Sequence, residues 1–589
     1  MVDQRTSAPR RHVLTVALED YFHVGAFNRL IQHGQWYRFE RRLEQGTRAT
    51  LDLLDEHGLK GTFFVLGWVA EHAPEIVREV AERGHEVASK GYYHRGIDGM
   101  SPGEFRDDLA RAREVIEAAS RRRVLGYRVA HRWFRPEDLW ALDVLAEEGY
   151  AYDSSIAPML RRFADEPWRR TVHLHAAAGR RLWELPIPST SVLGLDVPVG
   201  GGNWLRQLPA PFVRRAVARW DATCPSPFVL YFHTWELDPG QPKFEGAPLL
   251  SRIRQYRNLD RMRGILRHYL SRYHFTGIAE HLGLTGEPAE RESALETFDR
   301  ERSDAEASYD DVAFMSPAPA PARAQATAAA VSAAPRLAVR ELTLTLAPAG
   351  ERVPVTVVVP CYDEELALPY LANTLGSVSA AMSSRYDLRY VFVDDCSTDG
   401  TWDTLRRLFG VRGDVTLVRH DRNRGVAAGI MTGLRAATTE VVCSIDCDCT
   451  YDPHELARFI PLLDEGVDLV TASPYHPEGA VRNVPEWRLF LSRGLSGMYR
   501  MVLRHKLHTY TSCFRVYRRS AFVELPLRHS GFLGIAEMLG RLDLGGGRIV
   551  ECPATLEVRM LGRSKMKIAR TIVGHLGLLA RLASTRVEI

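Results

Sequence analysis

The chain has 589 residues, 25% of them charged, and a formal net charge of +3 at pH 7. This length exceeds what one hydrophobic core usually serves, so we expect two or more domains, and the near-neutral charge argues against a nucleic-acid partner. Apolar runs stay shorter than the roughly 18–20 residues of a membrane span, and eight cysteines show no disulfide framework. These features predict a cytoplasmic protein.

Residues 1–285 alternate short apolar runs with amphipathic stretches. The runs VLTVAL, GTFFVLG, RVLGYRV and PFVLYFH have the composition of buried strands, whereas EIVREVAERG places its apolar residues three and four positions apart. This alternation predicts a parallel sheet covered by helices. Functional side chains are then expected just beyond the carboxyl ends of the strands.

Charged residues and histidines stand at four of these predicted strand ends. Glu19 and Asp20 follow VLTVAL directly, and three further ends carry Lys90 with His94, Arg128, and His233. Two adjacent carboxylates can divide proton transfer and metal binding between them. Because parallel strands end on one face of a barrel, these side chains are candidates for one site.

Several stretches of the first half resemble, in order, the polysaccharide deacetylases, the NodB-homology carbohydrate esterases. They are LTVALEDYFHV, GTFFVLGWVAEHAPEIVREVAERGHEVAS, WALDVLAEEGYAYDSSIAP, LWELPIPST, PVGGGNWLRQLP and YFHTWELDPGQP, within about residues 12–282. The resemblance implies a distorted (β/α) barrel of the NodB type. It also implies removal of acetyl groups from N-acetylated sugars with Zn2+ or another divalent metal.

The resemblance assigns roles to individual residues. It implies Glu19 as the catalytic base, Arg128 as the arginine that orients this base, and His233 as the histidine that protonates the leaving amine. It implies Asp20 and His94 as metal ligands.

Lys90 departs from the family pattern, because the first metal histidine is expected at this position. A protonated lysine has no lone pair and repels a divalent cation, whereas a neutral imidazole is a ligand. We therefore expect an impaired metal site, with Lys90 paired to Asp20 in place of the metal. A neutral, metal-binding Lys90 is the less favoured alternative.

Residues 286–336 are predicted to be a linker. The segment begins with acidic and polar residues and continues as SPAPAPARAQATAAAVSAAP. Alternating Pro and Ala with few large apolar side chains cannot bury enough surface to offset chain entropy. The chain is thus predicted to have domains at 1–285 and 337–589.

The second half contains strand-like runs that end in acidic turns. These are VPVTVVVPCYDEE (353–365), YVFVDDCSTDGT (390–401) and VVCSIDCDCTYDP (441–453), and a basic, glycine-containing loop precedes the last of them. Asp446 and Asp448 stand two residues apart at a strand end. Their oxygens suit Mg2+ or Mn2+, and a nucleotide diphosphate can complete the coordination.

In this order the segments resemble the family 2 glycosyltransferases, especially the polyprenyl-phosphate mannose or glucose synthases, over about residues 353–570. The resemblance implies a GT-A, Rossmann-like domain that uses a nucleotide sugar and Mg2+ or Mn2+. Asp446 and Asp448 would bind the metal and diphosphate. The base and ribose would contact Pro360, Tyr362, Glu364, Asp395 and Asn423.

The same resemblance extends to the acceptor side and the tail. VRMLGRSKMKI (558–568) offers Arg559, Arg563 and Lys565 to a phosphate. Glu537 is a candidate for the acceptor side, and Tyr510 stands where an acid is common. The short amphipathic segment 571–584 is expected to rest on a membrane surface or to pack on its own domain.

We therefore predict an α/β, two-domain carbohydrate enzyme. A glycosyltransferase would move a sugar from a nucleotide donor to a glycan or polyprenyl phosphate, and a deacetylase-fold domain would act on N-acetylated sugar. One alternative is that the first domain is a non-catalytic module that binds sugar or serves as a scaffold for the transferase. Independently of this choice, the protein could work at the inner face of a membrane. A nucleotidyltransferase is disfavoured, because no glycine-rich start follows the first strand of the second half.

Overall fold

A computed structural model describes residues 10–160, 162–177, 179–285, 352–484, 486–562 and 568–588. The chain forms two compact units. Unit 1 comprises Met1–Glu19, Leu43–Leu237 and Asn258–Thr343, and unit 2 comprises Asp20–Arg42, Asp238–Arg257 and Leu344–Ile589. The proposed boundaries at 285 and 337 stay predictions.

The first half alternates strands and helices. Its strands are β1 Arg11–Leu18, β2 Thr62–Val65, β3 Glu86–Ser89, β4 Gly126–Tyr127, β5 Tyr152–Asp153, β6 His173–Ala177, β7 Arg180–Glu184, β8 Ser189–Val192, β9 Leu195–Pro198, β10 Val229–His233 and β11 His274–Thr276. Its helices are α1 Leu43–Glu56, α2 Gly67–His72, α3 Pro74–Glu82, α4 Pro102–Ser120, α5 Trp140–Glu147, α6 Gly202–Gln207, α7 Ala210–Thr223, α8 Leu249–Tyr256, α9 Met262–Leu270 and α10 Ile278–His281. Helix α8 belongs to unit 2.

The sheet of unit 1 is a distorted (β/α) barrel that remains open. Its strand order is β10-β1-β2-β3-β4-β5-β7-β6, with β11 also paired to β1. Neighbours along this path run parallel, as for β1 with β2 and with β10, except for the antiparallel β6–β7 pair. The predicted fold class is confirmed for this half.

Sequence patterns explain why these elements form where they do. Strand β2 is buried along its whole length, as its continuous apolar sequence predicts for a strand covered on both faces. Ser101 caps the start of helix α4. Its side chain accepts from the Glu104 N–H group, and the Glu104 side chain accepts from the Ser101 N–H group, which together form a capping box. The carboxyl ends of β1, β3 and β10 lead to Glu19, Lys90 and His233.

The second half has the following elements. Its strands are β12 Val353–Cys361, β13 Tyr386–Asp394, β14 Val415–Arg419, β15 Val441–Ser444, β16 Leu469–Ser473, β17 Ala480–Val481, β18 Arg515–Arg518, β19 Ile549–Pro553 and β20 Thr555–Leu556. Its helices are α11 Leu368–Met382, α12 Thr401–Phe409, α13 Val426–Ala436, α14 Leu456–Phe459, α15 Glu486–Val502, α16 Arg519–Phe522, α17 Phe532–Leu544 and α18 Ile568–Glu588.

Unit 2 is built on a seven-stranded sheet in the order β14-β13-β12-β15-β18-β16-β19. Strands β12, β13, β14 and β15 pair in parallel, whereas β18 runs antiparallel to both of its neighbours. A mostly parallel sheet with helical crossovers is the Rossmann-like arrangement expected of a GT-A domain. It brings the ends of β12, β13 and β15 to one edge.

Two segments from the first half of the sequence are part of unit 2. Arg38 Nη2 donates to Asp452 Oδ2 at 2.8 Å, and the Glu245 N–H group donates to the Met560 carbonyl at 3.0 Å. Phe39 packs edge-on against Tyr370. The compact units are therefore not simple consecutive halves of the sequence.

Candidate functional site

Four predicted site residues meet in unit 1. Glu19 follows β1, and Lys90 follows β3 with Nζ 2.6 Å from Glu19 Oε2. His94 Nε2 lies 3.4 Å from the same oxygen. His233 ends β10 and places Nε2 3.3 Å from Glu19 Oε1. The expectation that these strand ends converge agrees with the geometry.

The Lys90–Glu19 ion pair differs from the expected pair with Asp20. Both side chains are almost completely buried, at 4% and 1% exposure. Burial favours the neutral carboxyl, but Lys90 lies close enough to bring the pKa of Glu19 well below its usual range. Burial also lowers the pKa of Lys90, and Glu19 opposes this.

Asp20 is engaged within unit 2. Its Oδ1 accepts from the Tyr21 N–H group at 2.8 Å, and its Oδ2 accepts from the Arg42 N–H group at 2.7 Å. Its own N–H group donates to His23 Nδ1. These contacts shape the turn after β1.

The side chains around Glu19 do not offer the ligand set that the family resemblance implies for zinc. Lys90 brings an ammonium group to Glu19, at the position where a ligand was expected. Within the described ranges, no three His, Cys, Asp or Glu side chains are grouped so that they could hold a metal ion.

Arg128 does not contact Glu19 in the described structure, in contrast to its expected role. Its guanidinium donates to the carbonyl and Oγ of Ser154 and to Thr15 Oγ1, and it lies 4.2 Å above the Phe64 ring. Burial lowers its pKa to about 10. Arg128 thus links the ends of the strands through these neighbours, and its role toward Glu19 stays a prediction.

His233 is held by a buried ion pair that the sequence analysis did not single out. Its Nδ1 lies 3.2 Å from Glu236 Oε2, and Glu236 Oε1 accepts from Arg206 Nε at 2.8 Å with both side chains fully buried. Burial raises the pKa of Glu236, but Arg206 and His233 lower it by more, so this pKa lies below its usual value. The quoted stretches NWLRQLP and YFHTWE contain both residues, although spacing alone does not connect them.

In unit 2, one guanidinium contacts two carboxylates, and a third carboxylate lies near them. Arg559 Nη2 pairs with Glu364, and its Nη1 lies 3.3 Å from Asp448 Oδ2. Asp446 stands close to Asp448 and Glu364. Burial, and then the charge of Asp448, raise the pKa of Asp446 to about 7. Predicted metal-binding and phosphate-binding residues thus meet at the end of β15.

Asp395 organises the loop that carries Asn423. Its Oδ1 accepts from His420 Nδ1 and from the Arg424 N–H group, both at 2.7 Å, and its Oδ2 accepts from the Gly425 N–H group at 2.6 Å. Gly425 has φ +97°, and a Cβ there would lie 2.7 Å from the Ser530 carbonyl oxygen. Only glycine suits this turn.

The other predicted nucleotide contacts lie at the end of β12. Pro360 belongs to the strand, and Tyr362 follows it partly exposed. The Glu364 N–H group donates to Thr401 Oγ1 at 2.7 Å. Their roles toward a nucleotide stay predictions.

The carboxylate of Glu537 accepts several hydrogen bonds from nearby residues. Its carboxylate accepts from the N–H groups of Arg528 and His529, from His529 Nδ1 at 2.7 Å and from Arg541 Nε at 2.8 Å. This explains its burial, and its acceptor-side role stays a prediction. Arg563 and Lys565 lie outside the described residues.

Fold and site together define two kinds of carbohydrate-active domain. The Polysaccharide deacetylase family model matches residues 35–143, and a Domain of unknown function (DUF3473) matches residues 154–283. The Glycosyl transferase family 2 model matches residues 356–525. The chain is an enzyme, a glycosyltransferase with a polysaccharide deacetylase domain.

The chain belongs to glycosyl transferase family 2. It is similar to polyprenol monophosphomannose synthase of Mycolicibacterium smegmatis, with 33% identity over 218 residues that span 36% of this chain and 80% of that protein. A dolichol-phosphate mannosyltransferase of Pyrococcus furiosus is 27% identical over 237 residues, which span 40% of this chain and 65% of that protein.

A solved structure also resembles the first half. It is described as a putative polysaccharide deacetylase from Mycobacterium smegmatis, and it aligns with 20% identity and a TM-score of 0.32. The alignment covers 47% of this chain and 91% of that one.

Proposed function

We propose that unit 2 transfers a sugar, as mannose or a similar hexose, from a nucleotide diphosphate to a polyprenyl phosphate. The observation that carries this is the meeting of Asp446, Asp448, Glu364 and Arg559 beside the loop held by Asp395. The relative named polyprenol monophosphomannose synthase supports the choice of acceptor.

Two carboxylates of unit 2 suit a hard divalent cation, and the described residues group no third side-chain ligand with them. Asp446 and Asp448 offer carboxylate oxygens, which Mg2+ and Mn2+ prefer, and leave the remaining positions to phosphate oxygens. When bound, the cation would neutralise the diphosphate as it leaves. Arg559 supplies a further positive charge on this side, and Asp395 fixes the loop of Asn423 for the nucleoside.

Tyr510 favours a phosphate acceptor over a hydroxyl. Its ring is fully buried, its O–H group donates to the His505 carbonyl at 2.8 Å, and it accepts from the Leu507 N–H group. It therefore offers no carboxylate base where the family commonly has an acid. A hydroxyl nucleophile needs such a base, whereas an ionised phosphate does not.

The transfer reaction gives the direct test. We expect the full chain to form a sugar-phosphate lipid from one member of a panel of nucleotide sugars only when polyprenyl phosphate is present, as measured by mass spectrometry of products. Transfer to a glycan hydroxyl in the absence of the lipid would contradict the choice of acceptor. No product with any donor would contradict the proposed reaction.

For unit 1, we propose recognition of N-acetylated sugar on the same glycan or lipid carrier. Two versions remain, a deacetylase with an impaired metal site and a non-catalytic sugar-binding module. The buried Lys90–Glu19 pair favours the second, since the residue expected to act as base is already bound to a cation. The His233–Glu236–Arg206 arrangement favours retained acid–base chemistry.

We also propose a peripheral contact between unit 2 and the inner face of a membrane. Among the described helices, none is long and apolar enough to cross a bilayer. Helix α18 exposes Val573 at 70% and Leu576 at 49%, and α15 exposes Phe490 at 79% and Met501 at 72%. Exposed arginines on α15, such as Arg500, suit an anionic lipid surface.

Vesicle flotation tests this contact. The double variant Val573→Asp and Leu576→Asp is expected to lower binding to vesicles containing anionic lipid by about tenfold, because charged groups would have to enter the interface. Val411→Asp is the matched control, since Val411 is 96% exposed elsewhere on unit 2. Equal flotation of the double variant and the control would contradict the proposed surface.

A further inference from the structure

Arg559 lies where the proposed cation would bind. Its guanidinium contacts Glu364 through Nη2 and Asp448 through Nη1. These are carboxylates of the kind that ligate Mg2+ or Mn2+. Arg559 therefore holds, in this structure, carboxylate oxygens that the metal would need.

The backbone around Arg559 is shaped to hold this position. Its Nε donates to the Leu561 carbonyl at 2.8 Å. Gly562 has φ +71°, and a Cβ at this residue would lie 2.9 Å from Arg559 Nη2. A side chain at 562 would thus crowd the guanidinium. The turn at Gly562 and the two ion pairs of Arg559 therefore depend on each other.

Charge explains why the site favours a cation before any ligand arrives. Asp446, Asp448 and Glu364 repel one another, and the charge of Arg559 compensates part of this repulsion. A divalent ion compensates it more fully, but it competes with Arg559 for the same oxygens. A nucleotide diphosphate would offer the released guanidinium a new partner, because arginine binds phosphate through paired N–H groups.

We propose that Arg559 acts as a tethered cation, that is, a positive charge fixed to the chain. Its guanidinium occupies the carboxylates of the donor site until the divalent metal and the nucleotide diphosphate bind together. This inference rests on the proposed transferase function and adds a regulation to it. Metal alone must displace the guanidinium into solvent, whereas metal with diphosphate lets it move to phosphate. Each ligand then raises the affinity for the other by the same factor, as linkage requires.

Mn2+ binding to the full chain measures this effect without turnover. Free Mn2+ is followed by electron paramagnetic resonance, alone and with saturating GDP or UDP. Removing Arg559 as Arg559→Gln is expected to tighten Mn2+ binding about tenfold in the absence of nucleotide, and to weaken nucleotide binding. The factor by which nucleotide tightens Mn2+ binding should fall accordingly.

Two further variants make the result specific. Arg559→Lys keeps the charge but cannot bridge two carboxylates with a planar fork, so we expect intermediate Mn2+ affinity. Arg412→Gln removes one positive charge from an ion pair with Asp414 elsewhere on unit 2, and it should behave as the wild type. Matching circular dichroism spectra check that each variant is folded.

The outcomes separate this inference from the function beneath it. Unchanged or weaker Mn2+ binding in Arg559→Gln, with binding still lost in Asp448→Ala, would overturn the tethered cation and leave the metal site intact. Mn2+ binding that is indifferent to Asp448→Ala would overturn the proposed metal site itself. Equal tightening in Arg412→Gln would show a general charge effect and would also overturn the inference.

Discussion

Replacing Asp448 with alanine is expected to lower sugar transfer more than a hundredfold. Asp448 and Asp446 are the proposed oxygen ligands of the cation that neutralises the leaving diphosphate, and losing such stabilisation costs about 3–4 kcal/mol in the transition state. Arg559, already in contact with Asp448, would also lose one of its partners. Both transfer and donor hydrolysis should fall, as measured by product formation under saturating donor.

A matched variant separates this effect from a loss of charge alone. Asp414→Ala removes an aspartate that pairs with Arg412 at the surface, and its activity should remain close to that of the wild type. A chelator should reproduce the Asp448→Ala defect, and added Mn2+ should reverse only the chelator. Undiminished transfer by Asp448→Ala would refute the assignment.

Replacing Lys90 with histidine is expected to create metal binding and deacetylation in unit 1. The substitution removes the ammonium group from Glu19 and adds an imidazole four residues before His94, a spacing found in metal sites. With Asp20, this completes the ligand set that the resemblance implies. Metal content should rise from well below one equivalent to about one equivalent, with hydrolysis of N-acetylated oligosaccharide rising in parallel.

The Lys90–Glu19 ion pair determines how Lys90→His is expected to change the stability of the fold. Removing one partner of a buried pair leaves the other charge uncompensated, which typically costs about 3–5 kcal/mol. Without metal, Lys90→His should therefore be less stable than the wild type. Zinc should restore its stability, and this gives a readout that is independent of catalysis.

The full chain is the right material, because segments 20–42 and 238–257 belong to unit 2. Each of these variants is made in a chain that also carries Asp446→Ala and Asp448→Ala. The transferase metal site should then bind no metal, so elemental analysis reports only on unit 1. Lys60→His is the control, since Lys60 forms an exposed pair with Asp55, and Asp20→Ala should abolish the gain. Stoichiometric metal and full activity with Lys90 in place would show that this lysine is no impediment.

Much of the architecture could be predicted from the sequence, because hydrophobic periodicity is local. Continuous apolar runs identified β1, β2, β12, β13 and β15, and the rule that parallel strands share a functional end placed polar residues at the right positions. Glu19, Lys90, His94 and His233 meet as that rule predicts. Asp446, Asp448 and Glu364 do likewise in unit 2, although their roles stay predictions.

Partner choice within these clusters could not be predicted. Lys90 was expected beside Asp20 but pairs with Glu19, and Arg128 bonds to Ser154 and Thr15. Hydrogen bonds and ion pairs form over about 3 Å and depend on which way a side chain points. Sequence spacing fixes the strand on which a residue lies, but not that direction.

Two α/β folds, and the strand ends at which chemistry is expected, could be predicted from the sequence alone. Only the tertiary structure connected Arg206 with Glu236 and His233, and only it placed Arg559 between Glu364 and Asp448. Arg206 is 30 positions from Glu236 and Arg559 is 195 positions from Glu364, so no local pattern relates either arginine to its partner. They meet because burial of apolar faces folds the chain, and the electrostatic contacts then follow from the positions that folding allows.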